Sequence, residues 1–481
     1  MNIKKYSAFL TICAVVFCMG SLKTALGDGL ADRSARPTTD AVTRGVIYQI
    51  NLRAFTPEGT LAAAKEKLPK IAELGATVVY LCPFMLSDDD SRQEFWSPRQ
   101  KKSGMNNPRN PYRIKDYFSV DPEYGTEADL HAFVDAAHEL GLKVLFDLVY
   151  LHCGPTAVFI EERPDFVKRD GQGGILNAAW GFPGLNFESP ELREYLWSNI
   201  EFWTRDFNVD GFRLDVGDGV PLDFWLEVRK RLDAIRPGMI LFSEGTRRED
   251  QLETMDLNFG FPFFDALNAV MSGKKSAGEI SKSWTKVAGE RPKGARFVRY
   301  FDNHDIANDD YENRRETRWG DAGVRMALAL IFTVDGTPML YNGQEIADAN
   351  RHSIFGKLPI DWSKAETPSG RDRFAYVQKL IKMRREHAAL TSPELEWLTP
   401  DNPDDCAAFL RKSADETVWC VFNLTQTPKR ENFRFPDGPA AVELLISNAG
   451  VLLKDGGLSV DLPAYGFAVV KLVPRKVDEN K

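Results

Sequence analysis

Four short apolar runs in this chain end in acids. They read Phe146-Asp147-Leu148-Val149-Tyr150-Leu151-His152, Gly211-Phe212-Arg213-Leu214-Asp215, Phe242-Ser243-Glu244-Gly245 and Phe301-Asp302-Asn303-His304-Asp305. If these runs are parallel strands of a barrel, Asp147, Asp215, Glu244 and Asp305 converge at one end, together with His152 and His304. One strand-end acid is usually a helix cap, but four in register point to a reactive cluster. There is no Ser/His pair, no Cys-x-x-Cys, no His-Glu-x-x-His and no glycine-rich phosphate loop after a strand. Carboxylates with one arginine suit glycosyl transfer, which needs an ionised acid facing the anomeric carbon and a protonated one beside the leaving oxygen. Arg213 lies two residues before Asp215, hence on the same strand face. Its guanidinium there would keep Asp215 ionised, as a nucleophile must be. Glu244 suits the acid role if its surroundings raise its pKa.

The elements around these residues alternate. Strands are predicted at residues 46–50, 77–82, 143–150, 211–216, 239–243, 297–301 and 338–342, with a weaker one at 257–263. Helical patterns lie between them at 61–75, 127–140, 190–207, 222–235, 321–334 and 371–390. In the second of these, Leu130, Phe133, Val134, Ala137 and Leu140 share a face and Gly141 stops the helix. Short apolar runs alternating with amphipathic helices imply parallel βαβ units. Eight such units fit a (β/α)8 TIM barrel over residues 40–395, with a short insertion, 153–189, after the third barrel strand. Beyond residue 390 the helical pattern stops. Runs at 407–412 and 417–423 flank Ser413-Ala414-Asp415 as a hairpin, and β-type runs follow at 433, 441–446, 458–462 and 466–472. These predict a separate antiparallel β-sandwich domain over 396–475.

Order, spacing and strand context of the acidic motifs resemble the α-amylase superfamily, glycoside hydrolase family 13. The resemblance implies that Asp215 is the nucleophile with Arg213 beside it, and that Glu244 is the general acid/base. It gives Asp305 to transition-state stabilisation and His304 to sugar hydroxyls. Asp147 would be structural and His152 would bind sugar. Tyr112, in Pro111-Tyr112-Arg113, resembles the tyrosine that stacks on the sugar at the cleavage point, and Pro183-Gly184-Leu185-Asn186 resembles a degraded short family motif. The substrate implied is an α-glucan or malto-oligosaccharide, with hydrolysis as the reaction and transglycosylation as the alternative on the same site. A non-catalytic, sugar-binding barrel is the remaining alternative, and the full set of carboxylates argues against it. Two departures matter. Leu151 stands where the family usually has a calcium-binding Asn, and a leucine side chain cannot ligate a hard cation, so no metal or cofactor is expected. Gly217-Asp218 replaces a Lys-His pair frequent in starch-cleaving members, so contacts to the acceptor sugar must differ.

The rest of the chain narrows the setting. Lys4 and Lys5 precede an apolar stretch and a small-residue exit, which predicts a secretory signal over residues 1–27 and export to the periplasm or medium. Net charge is −8 without a long basic run, which excludes sequence-independent nucleic-acid binding. No apolar run after the leader is long enough to span a membrane. Of the six cysteines, Cys82, Cys153, Cys406 and Cys420 lie beyond the leader. A Cys82–Cys153 disulfide and two buried thiols are both open. Asp88-Asp89-Asp90 reads as a solvated loop in preference to a cation site. Phe95, Trp96, Trp180 and Phe182 are either sugar platforms or loop packing. His131, His138 and His387 read as packing residues, and Gln344-Glu345 as support for the site.

Overall fold

The structure, a computed structural model, describes residues 29–309, 314–435, 438–454 and 456–475; the predicted leader lies outside them. The first strands, β1 (Ile47–Ile50) and β2 (Val78–Leu81), precede a small antiparallel hairpin of β3 (Met85–Ser87) and β4 (Ile114–Val120). Then follow β5 (Lys143–Leu148), β6 (Gly211–Leu214), β7 (Ile240–Ser243), β8 (Leu257–Phe259), β9 (Phe297–Arg299) and β10 (Thr337–Tyr341). Apart from the hairpin, these strands close a parallel barrel in the order β1-β10-β9-β8-β7-β6-β5-β2.

Side-chain alternation along each strand explains both cores. Ile47, Val78, Tyr80, Leu145, Ile240, Phe242, Phe259 and Val298 form one cluster inside the barrel. Their neighbours Tyr48, Val79, Val144, Phe146, Phe212 and Leu241 pack outward against the helices. The inward parity of Leu145 continues to Asp147, and that of Phe242 to Glu244. Register does the rest. Asp147 pairs with Arg213 across β5 and β6, and Leu214 pairs with Ser243 across β6 and β7, so Asp215 and Glu244 leave their strands side by side.

Several predicted boundaries move. The strand expected at 211–216 stops at Leu214, because Val216 turns the chain with a φ of 44°. The run at 257–263 is a strand only to Phe259. Pro262 then sits in the first turn of the helix Phe261–Met271, where its missing N–H costs nothing. The helix at 61–75 divides into Leu61–Lys65 and Leu68–Leu74. The helix predicted at 321–334 starts earlier, at Arg315, and kinks at Gly320. On the helix Glu127–Glu139 the predicted face is buried except Leu140, which lies past its end and is 39% exposed.

The long connection between the second and third barrel strands is more ordered than its composition suggests. It holds β3, β4 and a short helix, Pro98–Lys102, capped by the Ser97 side chain on the Gln100 N–H. The fully buried Arg113 guanidinium donates to the carbonyls of Asp88, Asp90, Phe95 and Pro108 and so fixes its path.

The C-terminal region contains β11 (Leu395–Leu398), β12 (Cys406–Lys412), β13 (Thr417–Asn423), β14 (Lys429–Arg434), β15 (Ala441–Ser447), β16 (Gly450–Lys454), β17 (Gly457–Leu462) and β18 (Phe467–Val473). The order β11-β12-β13-β18-β15 makes one antiparallel sheet and β14-β17-β16 a second. Cys406, Ala408, Trp419 and Val470 of the first sheet meet Phe433, Leu458 and Val460 of the second, as a sandwich requires. The alternate residues Phe409, Cys420, Phe422 and Val469 pack on the barrel's outer core. The first sheet is thus covered on both faces.

Candidate active site

Arg213 organises the cluster. Its Nη1 lies 2.7 Å from Asp147 and 2.8 Å from Asp215, and its Nη2 lies 2.7 Å from Glu244. The guanidinium is 1% exposed and ringed by the faces of Tyr80, Tyr112 and Phe259. Asp147 also accepts from the Tyr80 and Tyr112 hydroxyls at 2.6 and 3.0 Å, so it is fully engaged as an anchor.

Three carboxyls on one guanidinium cannot all ionise freely. Burial pushes Asp215 well above the ordinary carboxylate range; Arg213 pulls it down, and Glu244 and Asp147 push it up again. Glu244 is raised as well, by burial first and by Asp305 and Asp147, against the pull of Arg213 and the Val216 N–H. The expectation that Arg213 by itself keeps Asp215 ionised is therefore incomplete. Each of the two carboxyls is thus drawn toward its protonated form by burial and by its acidic neighbours. One acid and one base is what a two-carboxylate reaction needs.

Val216 supplies a device that spacing did not show. Its backbone sits in the left-handed region, costly for a β-branched residue at about 1–3 kcal/mol. That turn aims its N–H at Glu244 Oε2, 3.0 Å away.

Asp305 has a different environment. Arg99, from the short helix Pro98–Lys102, approaches its carboxylate at 2.9 Å and donates to its backbone carbonyl at 2.8 Å. Burial raises the Asp305 carboxyl, but His304, Arg99 and Arg213 outweigh it and hold the group well below the usual range. His304 is itself held toward its neutral form by burial, so the Arg99 guanidinium is the cation in contact with Asp305. Gln49 contacts His304 Nδ1 at 2.6 Å, and a donating amide there leaves the proton on Nε2, 2.6 Å from the Tyr112 hydroxyl. The Tyr112 ring stacks on His304 at 5.3 Å, and the ring is 8% exposed.

His152 is 2% exposed and contacts the Tyr112 carbonyl through Nε2 at 2.8 Å. Burial lowers its pKa to about 4, so near neutral pH the ring is uncharged, and Nδ1 has no partner among the described residues. All seven predicted site residues, Tyr112, His152, Arg213, Asp215, Glu244, His304 and Asp305, thus gather at one mouth of the barrel.

The profile described as alpha amylase, catalytic domain, matches residues 23–171 and 176–373. The chain belongs to the α-amylase family. A second profile, the maltogenic amylase C-terminal domain, matches residues 395–469. A Bacillus sp cyclomaltodextrinase is 27% identical over 392 residues, spanning 76% of this chain and 65% of that protein. Neopullulanase 2 of Thermoactinomyces vulgaris is 27% identical over 437 residues, 85% of this chain and 70% of its own. This chain therefore spans about two thirds of the length of such relatives. In structure it resembles a maltogenic α-amylase from Thermotoga neapolitana, with a TM-score of 0.77, 23% identity, and coverage of 90% of this chain and 99% of that one.

Leu151 offers no side-chain oxygen to a cation, and its side chain lies against Gly219. Asp88 is buried, and its carboxylate accepts from the Thr156 N–H and hydroxyl and from the Asp90 N–H, as a loop anchor does. Trp96 and Phe182 are packed, whereas Trp180 is exposed. His131 stacks on Phe207, His138 meets Asp210 and His387 meets Glu416, all as packing or ion-pair partners. Glu345, raised to about 7 by burial, accepts from the Tyr48 hydroxyl and the Gly343 N–H beneath the site. The four described cysteines are buried free thiols, which decides the Cys82–Cys153 question against a disulfide. A cavity of about 220 Å³ between the barrel wall and the helix Gly278–Gly289 is lined by no residue of the carboxylate cluster.

Proposed function

We propose that this chain is a retaining glycoside hydrolase that cleaves α-glucosidic bonds in malto-oligosaccharides, with Asp215 as nucleophile and Glu244 as acid/base. The observation that carries the reading is the convergence of these two carboxyls on one guanidinium, Asp215 on Nη1 and Glu244 on Nη2. The relatives, named for action on cyclomaltodextrin and pullulan, support the substrate class.

In the first step Glu244 Oε1, the oxygen not engaged by Arg213 or Val216, gives its proton to the leaving glycosidic oxygen. Asp215 Oδ2 attacks the anomeric carbon as that C–O bond breaks, forming a glycosyl ester. Asp305 accepts hydrogen bonds from sugar hydroxyls while positive charge spreads over the ring. His152, neutral, offers its Nδ1 lone pair to another hydroxyl, and His304 holds the Tyr112 hydroxyl through its Nε2–H. In the second step Glu244 takes a proton from water, the water oxygen attacks the same carbon, and Asp215 departs as a carboxylate. A sugar hydroxyl in place of that water gives transglycosylation by the same groups.

Residues 1–27 act as an export signal in this reading, and the enzyme needs no calcium. Asp215→Asn is expected to lower kcat by several orders of magnitude with oligosaccharide binding retained. Chromatography of products from malto-oligosaccharides, pullulan, cyclodextrins and sucrose reads both rate and linkage. Near-normal turnover in that variant would remove Asp215 from its role.

A further inference from the structure

The insertion after the third barrel strand, 153–189, carries an unusual residue. Trp180 is 40% exposed, one of few large apolar side chains so placed, and its backbone has a φ of 66°. A non-glycine residue in the left-handed region is strained, and such strain gathers at functional sites. The surrounding backbone holds it there. The Ala178 N–H donates to the Phe182 carbonyl at 2.6 Å, Asn177 bridges to Pro183, and Gly184 pairs back to Leu176. A Cβ placed on the next residue, Gly181, would lie 3.2 Å from the Glu94 carbonyl oxygen, so the tip of the insertion also rests on the loop that carries Arg99.

Below Trp180 lies His152. The two rings meet edge-on with centroids 5.9 Å apart, and Phe182 fills the other side of the imidazole at 4.8 Å. The unpaired Nδ1 of this buried histidine leaves room in its hydrogen-bonding for a hydroxyl donor. An indole offers what a pyranose needs next to such a contact, a flat apolar surface for the C–H face of the ring. Trp96 and Phe182 are packed away and Phe95 is half-buried under the Arg92 guanidinium, which leaves Trp180 as the most exposed of these four rings.

We propose that Trp180 is the stacking platform of a second sugar subsite, holding the glucosyl unit adjacent to the one that His152 contacts. The proposal rests on the α-glucan reading and extends it to a residue that neither motif nor catalysis requires. It assigns Trp180 to binding and not to chemistry.

The test is a titration in the inactive Glu244→Gln background, with intrinsic tryptophan fluorescence and calorimetry as readouts. Maltotriose spans the platform, and glucose serves as the single-unit control. Trp180→Ala is expected to weaken maltotriose binding on the order of tenfold while glucose binding and the melting temperature stay unchanged. Trp180→Phe, which keeps a flat ring, is expected to recover most of the loss, and Trp180→Leu, apolar but not flat, is not. Equal maltotriose affinity in Trp180→Ala and its parent overturns the platform. Absence of any malto-oligosaccharide binding in the Glu244→Gln parent overturns the α-glucan reading instead. Equal loss for glucose and maltotriose assigns Trp180 to supporting His152 and also overturns the subsite.

Discussion

Arg213 and Arg99 divide the charges of the site between them. Arg213 serves Asp147, Asp215 and Glu244 and leaves that set short of positive charge, which favours protonation within it. Arg99 serves Asp305, 206 positions away in sequence, and keeps it ionised. Removing Arg99 therefore has a predictable sign. The Asp305 carboxyl rises toward the ordinary range, so protonation begins at higher pH and the acid limb of kcat/KM moves upward. For Arg99→Ala we expect a loss of less than about tenfold near neutral pH, where Asp305 is still ionised, growing as pH falls. Arg99→Lys, which keeps the charge, is expected to restore the limb. A pH–rate profile on maltotriose decides it, and an acid limb that does not move in Arg99→Ala would show that the pair is structural. Arg213 was legible in the sequence because it shares a strand with Asp215. Arg99 was not, because its partner comes from another βα unit and no local pattern marks it.

The elements show the same contrast between local and long-range signals. Barrel strands were readable because burial on both faces makes them short apolar runs, and the acids at their ends were readable because register is regular. The C-terminal hairpin was readable from its turn, and Lys412 does pair with Thr417. By contrast β3 and β4 were missed. Their hairpin is irregular in register, and its path depends on Arg113 reaching four carbonyls, which a sequence window does not contain. Val216 was missed because a valine does not signal a left-handed turn. Leu151 packs on Gly219 and contributes no oxygen, and a hard divalent ion needs six to eight of them. Treatment with a chelator is expected to leave activity and melting temperature unchanged. A fall in melting temperature that calcium reverses would mean that other oxygens rebuild the site.

At the scale of the molecule, the barrel mouth is narrowed by two segments that meet each other. The loop bearing Glu94 and Arg99 reaches Asp305, and the insertion 153–189 sets Gly181 against Glu94. The first segment is fixed by Arg113 and the second by paired backbone flanking the turn at Trp180. The aromatic and imidazole side chains around the carboxylates are Tyr112, His152 and His304, with Trp180 the exposed one nearby. Long polymer chains bind productively when many stacked subsites share the load, and short chains need only the few beside the reacting bond. A narrow, walled cleft therefore favours the short substrate. We expect kcat/KM on maltotriose to maltoheptaose to exceed that on soluble starch per cleavable bond. In digests of starch, reducing sugar should then appear early while viscosity falls slowly, since cleavage near chain ends shortens a polymer little. A rapid fall in viscosity with little reducing sugar would mean that internal bonds reach Asp215 freely, and that the two segments part to admit the chain.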